Sequence, residues 1–317
     1  MVVPVPWWRH RRLLPWLIQG VAGLGLLVLT AAIVTNLVRN LSYAGMLLSW
    51  RWLGTPAGFD LGESLIPFDA SKPYWLALVS GLLNTLRVVA AGLVGSTLVG
   101  TAVGVASFSS NILLQRLAGL YVALIRNSPL LMQLLFWYFI VFLSLPSDQA
   151  AIQLPGLVLS RSGLFLIQPH LHQGHWHAPL QLSIEFMALF TGLVIYSGAF
   201  IAEVVRGGIA SVPQGQWEAA RALGLQPAQI LRTIVLPQAL RVIVPGLNNQ
   251  YISLAKNSSL ALACGYSDLY SVAETSLNQT GRAVEVVLLV LGSYLLIDLL
   301  ISAVMNGLNS FVQIKER

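Results

Sequence analysis

The chain has 317 residues, a formal net charge of +6, 56% hydrophobic residues and only 9% charged ones. Ordinary globular proteins carry about 25% charged residues; this sequence instead holds several apolar runs longer than about 18 residues, the mark of a polytopic helical membrane protein. The strict alternation of an outer-membrane barrel is absent, and the basic residues lie scattered at the ends of apolar runs with no stripe, which speaks for membrane topology and against nucleic-acid binding.

Arg9-His10-Arg11-Arg12 followed by the apolar run Leu13 to Val38 imitates a secretory signal. The run is about twice the usual apolar length and lacks a convincing cleavage site, so it reads as a retained first span, 13–38. Residues 39–77 contain Pro56, Gly58, Gly62, Pro67 and Pro73, which argue against a continuous helix. Residues 1–78 are therefore read as a tail, a span and an external loop, and 79–317 as the transmembrane core. In the core the second span runs over about 79–107 and the third over about 117–143. An external linker, 144–181, carries prolines, glycines and histidines. The fourth span covers about 183–205, and a polar island follows at 207–237. The fifth covers about 239–264, interrupted at Pro245-Gly246, and the sixth about 284–311. The expected fold is an all-α membrane bundle of about six spans with a short helix pair between the fourth and fifth. Gly92, Gly95, Ser96, Gly100 and Gly104 in the second span suit close helix packing.

Orientation follows from Lys and Arg placement. With the N-terminus inside, the inner segments hold Arg9, Arg11, Arg12, Arg116, Arg206, Arg221, Arg232, Arg241, Lys315 and Arg317. The outer segments hold Arg39, Arg51, Lys72, Arg161 and Arg282. This predicts a multi-pass protein of the inner (plasma) membrane with both termini and the island in the cytoplasm. Cys264 is the only cysteine, which excludes an intrachain disulfide.

Within the island, Ser211 with Gln214 fits a capping box, with Pro213 in the first turn. Gly224 is placed to end that helix. A second helix opens at Pro227 and ends before Pro237. Such a helix–turn–helix beside the membrane has the shape of a docking surface: Ala219 and Ala220 let another backbone approach, and Glu218 offers a carboxylate. The plainer reading is a Glu218–Arg221 pair on an ordinary interfacial helix.

Glu218-Ala219-Ala220, three residues, Gly224, nine residues, Ile234, one residue and Leu236-Pro237 resemble the signature loop of membrane subunits of bacterial ABC importers at every position of that pattern. The resemblance implies a coupling helix seated in a separate ATPase subunit, with Glu218, Ala219, Ala220, Arg221, Gly224, Ile234, Leu236 and Pro237 forming the docking surface. Gly81 to Arg87, Ala123 to Gln133, Phe200 to Ile209 and Leu254 to Leu260 resemble the polar amino-acid permease branch, with Asn257 where the familiar motif has Asp. Gly265 to Leu269 and Leu277 to Gly281 are similar to the general L-amino-acid permeases. About 80–312 is covered. The resemblance further implies two ATPase copies that carry ATP and Mg, a second homologous permease, different or identical, and an extracytoplasmic amino-acid-binding protein. It implies no cofactor on this chain.

No P-loop pattern occurs, and the spans hold no histidine and no metalloprotease or serine–histidine arrangement, so no enzymatic chemistry is expected. The rival reading is a stand-alone secondary transporter of small polar solutes; such carriers often have about ten or more spans with internal repeats, and would have no use for the island.

Charged groups at mid-membrane cost about 2.5–3.5 kcal/mol on insertion scales, which singles out Arg87, Arg126, Glu203, Lys256 and Asp298. Arg126-Asn127-Ser128-Pro129 breaks the third span, and Lys256-Asn257-Ser258-Ser259 follows the break at Pro245-Gly246. Broken spans can aim polar groups at a solute near the midplane. An amino acid needs an anion for its ammonium and a cation for its carboxylate, which Glu203 with Arg126 or Lys256 could supply. The candidate substrate path is thus Arg126, Asn127, Glu203, Lys256, Asn257 and Ser258; the alternative is that these residues are structural pairs or snorkel to headgroups. Arg87 and Asp298 are read as structural. His170, His172, His175 and His177 surround Gly174 and Trp176 in the external linker. Imidazole suits zinc, but the spacing matches no zinc module and no acid lies in the tract, so no metal is expected.

Overall fold

The computed structural model describes residues 13–43, 45 and 48–313. Arg9, Arg11, Arg12, Lys315 and Arg317, counted above for topology, lie outside these residues. The chain divides into two compact units, Met1–Trp50 and Arg51–Arg317. The first holds helix α1, Leu13–Tyr43, whose large apolar side chains from Trp16 to Val38 are exposed. A helix that is apolar all round needs lipid or protein on every side.

In the second unit the helices are α2 (Tyr74–Ala106), α3 (Ile112–Arg126), α4 (Leu130–Leu135), α5 (Ile184–Ala210), α6 (Gln214–Ala222), α7 (Pro227–Ile230), α8 (Leu236–Asn257), α9 (Leu269–Thr280) and α10 (Ala283–Val312). Among the described residues five helices are long and apolar enough to cross a membrane, or six if α3 and the run Leu130–Phe142 count as one bent span. The second unit begins earlier than residue 79. The segment 51–73 is irregular, yet Trp52 and Ala57 are buried with Tyr74, Leu269, Val272 and Val286. Glu63 in this segment forms an ion pair with Arg87 of α2. Asn84 donates to the carbonyls of Glu63, at 2.7 Å, and Ser267, at 2.8 Å. Arg87, whose guanidinium also lies 4.3 Å from the centre of the Phe186 ring, is thus a structural strut.

The central pair is α2 against α5, and glycine makes it possible. A Cβ on Gly100 would fall 2.6 Å from Ile201 Cβ and 2.8 Å from Gly198 O; on Gly104 it would meet Val205 Cβ at 2.7 Å. Backbones approach this closely only where side chains are missing.

The third span breaks at Arg126-Asn127-Ser128-Pro129 as expected: α3 and the run from Leu130 to Phe142 meet at 103°. Pro129 cannot donate a backbone hydrogen bond. Gln133 answers part of the deficit, its side-chain amide donating to Ile125 O at 3.1 Å and Ser128 Oγ at 2.8 Å. The fifth span shows the opposite outcome. Pro245 lies inside an unbroken α8, and Pro237 occupies its first turn, where a missing N–H is tolerated. A π-helical turn at Leu231–Val235 joins α7 to α8, so Pro227 to Cys264 is one helical run. The expected stop before Pro237 and the interruption at Pro245-Gly246 do not occur.

The linker 144–181 is folded. Strands β1 (Ile152–Leu154), β2 (Leu157–Ser160), β3 (Gly163–Leu166) and β6 (Leu180–Leu182) form an antiparallel sheet in the order β1-β2-β3-β6. Strands β4 (His170–His172) and β5 (His175–His177) form a separate hairpin. Val158 and Phe165 are buried beneath the sheet. Beyond α8, the turn before α9 is anchored by buried Asp268, which accepts from Ser271 N–H at 2.8 Å and from Tyr294 O–H at 3.4 Å. Burial pushes its carboxyl up to about 7, against the hydrogen bonds that would lower it.

Candidate coupling surface and polar cleft

The island opens differently from its sequence signal. Ser211 closes α5, its hydroxyl donating to Gly208 O at 2.7 Å, and α6 starts after Pro213 with no side-chain cap. The capping box at Ser211 and Gln214 is not formed, because the serine is already committed to the preceding helix. The side-chain cap lies one helix later, where Gln226 N–H donates to Gln229 Oε1 at 2.9 Å. Gly224 has φ +75°, the left-handed conformation that ends α6. Its N–H reaches Arg221 O at 2.9 Å, and that of Leu225 reaches Ala220 O at 3.2 Å.

This turn folds α7 back against α6. Ala220, only 1% exposed, is buried with Val212, Ile230, Val235 and Ala239. It is small because two helices meet there, and it is not an open docking position. Glu218, Ala219, Arg221, Gly224 and Pro237 are exposed, whereas Ile234 and Leu236 are partly buried. The Glu218–Arg221 pair does not occur among the ion pairs of the described residues. Leu223 is 79% exposed at the tip of the island. Sequence reading passed over it; an apolar residue beside the terminating glycine of a polar helix was the available signal.

A second feature lies where the ends of α2, α3 and α5 meet. A cleft of about 500 Å³ is lined by Ser107, Arg126, Asn127, Phe200, Glu203 and Arg206, among others. Glu203 pairs with Arg206 one turn on, and its other oxygen is 3.9 Å from Arg126 Nη1. Arg126 also lies 5.1 Å from the Phe200 ring centre. One carboxylate thus faces two guanidiniums, leaving a net positive cleft. Lys256 is not brought here; its Nζ is 3.3 Å from Asp298 Oδ2 on α10. Asn257 is half-buried. Ser258 is buried, its hydroxyl donating to Ala255 O at 2.7 Å, so it faces into the bundle. Along α8, Pro245, Asn249, Ser253 and Lys256 are all exposed, at intervals that put them on one helix face. Lipid is a poor solvent for such a stripe.

Residues 96–313 match the family described as binding-protein-dependent transport system inner membrane component. The chain is 34% identical to a putative amino-acid ABC transporter permease protein, YhdX, of Escherichia coli (strain K12), over 95% of each chain. It is 35% identical to the general L-amino acid transport system permease protein AapQ of Rhizobium johnstonii, over 89% of this chain and 88% of that one. Among solved structures, an amino acid ABC transporter crystallised with histidines aligns with a TM-score of 0.57 and 28% identity over 75% of this chain and 94% of its own. The match spans the glycine-packed α2–α5 pair from Ser96 onward, the island and α8 together, and the chain belongs to the family of inner-membrane permease components of binding-protein-dependent ABC transport systems.

Proposed function

We propose that this chain is the permease subunit of an importer that moves L-amino acids across the plasma membrane, driven by ATP hydrolysed on a separate subunit. The single observation that carries the reading is the island: an exposed short helix closed by a left-handed glycine and packed against α7, which runs on into a long membrane helix. The amino-acid substrate class is supported by the descriptions of the relatives. As a permease the chain performs no covalent chemistry; ATP and Mg belong to its partner.

In this reading the island faces the cytoplasm, as the Lys and Arg distribution suggests. Two ATPase subunits grip Glu218, Ala219, Arg221, Leu223 and Gly224 and the equivalent surface of a second permease chain, related or identical. An external binding protein delivers the solute. The stripe Asn249–Ser253–Lys256 supports a shared path, because a polar face on a span needs water or protein against it. Arg126, Asn127 and Glu203 form the solute-facing cleft, the excess guanidinium charge meeting a carboxylate and Glu203 meeting an ammonium. Lys256 and Asn257 line the α8 side, and Ser258 supports that helix from within. Coupling requires that ATP binding favour one of two conformations, since a ligand indifferent to both shifts neither.

The experiment is reconstitution of the chain with an ATPase subunit and an extracytoplasmic amino-acid-binding protein of this class of transport system. Uptake of labelled L-amino acids should stop when ATP is withheld. Uptake by the chain alone, driven by an ion gradient, would establish a secondary transporter instead. Arg126→Met should cut uptake while assembly persists; unchanged uptake would remove Arg126 from the path.

A further inference from the structure

The external hairpin carries an arrangement that linear spacing does not reveal. Gln173, at φ +50°, and Gly174, at φ +84°, make the two-residue turn that fixes the β4–β5 register. Opposed pairs are His170 with His177 and His172 with His175. Alternation along each strand then places all four imidazoles on one face, with Leu171 and Trp176 on the other. The hairpin is docked: Trp176 Nε1 donates to Asp148 O at 2.9 Å. His175 Nδ1 lies 3.4 Å from Asp148 Oδ2, a carboxylate that also accepts from Ser160 at 2.6 Å and Ser162 at 2.9 Å.

The remaining three rings form a group. His177 is 6.0 Å from His170 and 6.3 Å from His172, centre to centre. Three imidazoles on one tetrahedral ion, with metal–nitrogen bonds of about 2.0–2.1 Å, sit about 5 Å apart by centroid. Among the described residues no three such groups are arranged to hold an ion as they stand; all three rings are exposed, and rotation about their side-chain bonds is the movement that brings them within ligating distance. We propose that this face binds one divalent transition-metal ion of the zinc class through His170, His172 and His177, leaving the fourth position to water. Imidazole ligands suit zinc, nickel and copper over magnesium and calcium. His175, held by Asp148, is a tether for the hairpin and not a ligand. Metal binding would lock the β4–β5 strands together on the external face.

The test is a zinc titration of the full chain in nanodiscs, purified without a histidine tag, against a chromophoric chelator. The expected result is one equivalent bound per chain, with affinity reduced by about ten-fold or more in each of His170→Ala, His172→Ala and His177→Ala. His175→Ala should retain binding within a few-fold, and cobalt in place of zinc should show the intense visible bands of a tetrahedral site. Wild-type binding no tighter than that of His177→Ala would overturn the proposal. So would an equal loss in all four variants, which marks a histidine-rich surface without a defined site. Wild-type protein that binds less than one equivalent of zinc would refute the site by itself, whether or not any variant folds.

Discussion

Replacing Gly224 with Ala isolates the conformational element of the island. A Cβ built on Gly224 meets nothing within 4 Å, so the change causes no collision inside the chain. It does force an L side chain to φ +75°, where the left-handed conformation costs about 1–2 kcal/mol. A nine-residue helix is marginal on its own, so that cost appears as opening of the turn, with about 1.4 kcal/mol per tenfold in population. The amides of Gly224 and Leu225, bonded to Arg221 and Ala220 carbonyls, should therefore exchange with solvent about 5- to 30-fold faster. Capture of the ATPase in pull-down should weaken with them. Gly224→Asn is the informative control, because Asn tolerates the left-handed region while being larger than Ala. Asn should restore both readouts at least in part. Exchange at 224–225 unchanged in the Ala variant, or Asn more damaging than Ala, would refute the reasoning; the latter would mean that bulk against the partner, not backbone conformation, sets the requirement.

Other expectations are equally direct. Gly100→Ala should lower the thermal stability of the chain in detergent by about 1–3 kcal/mol through overpacking against Ile201 and the Gly198 carbonyl, whereas Gly119→Ala, with open space around it, should not. Ala220→Leu should destabilise the isolated chain, because Ala220 is packed inside the island, while Leu223→Ala should leave melting unchanged and weaken ATPase capture; the reverse pattern would invert the assignment of the two faces. Asp268 supplies a pH dependence. Its folded pKa of about 7 lies above the ordinary 3.8, so its contribution is complete below the unfolded value and is lost as pH rises through 7. Stability should thus fall as pH rises toward 7 and level off above; Asp268→Asn should flatten that slope in a melting series, and an unaltered slope would assign it elsewhere.

Much of this architecture is legible from residue order because a bilayer demands long apolar runs, and α2, α5 and α10 follow directly from that demand. The glycines at 100 and 104 announce a close helix pair, though not that α5 is the partner. What sequence conceals is context. Ser211 has a capping side chain, but the preceding helix uses it first. Pro245 looks like a break and is not, since one lost hydrogen bond is small beside the packing of a whole span. Asn127-Ser128-Pro129 reads as a break in the span, but its angle of 103° is visible only in the fold. The strands at 152–182 are three or four residues long, too short for periodicity to speak. In the polar cleft, sequence names Arg126 and Glu203 but leaves open which cation Glu203 meets; only folding shows that Arg206 shares it and that Lys256 goes to Asp298.

The helical run from Pro227 to Cys264 has a mechanical consequence. Its 38 residues span roughly 57 Å at 1.5 Å per residue, with no non-helical joint along the way. Such an element behaves as a lever. A tilt of about 5° around its middle displaces each end by about 2.5 Å, and both ends move at once, in opposite directions. A push on α6, which reaches the run where Ala220 packs against Ile230 and Val235, is therefore passed on along the helix itself and not through a relay of side chains. The α7 end of the island and the helix that bears Asn249, Ser253 and Lys256 are parts of one beam.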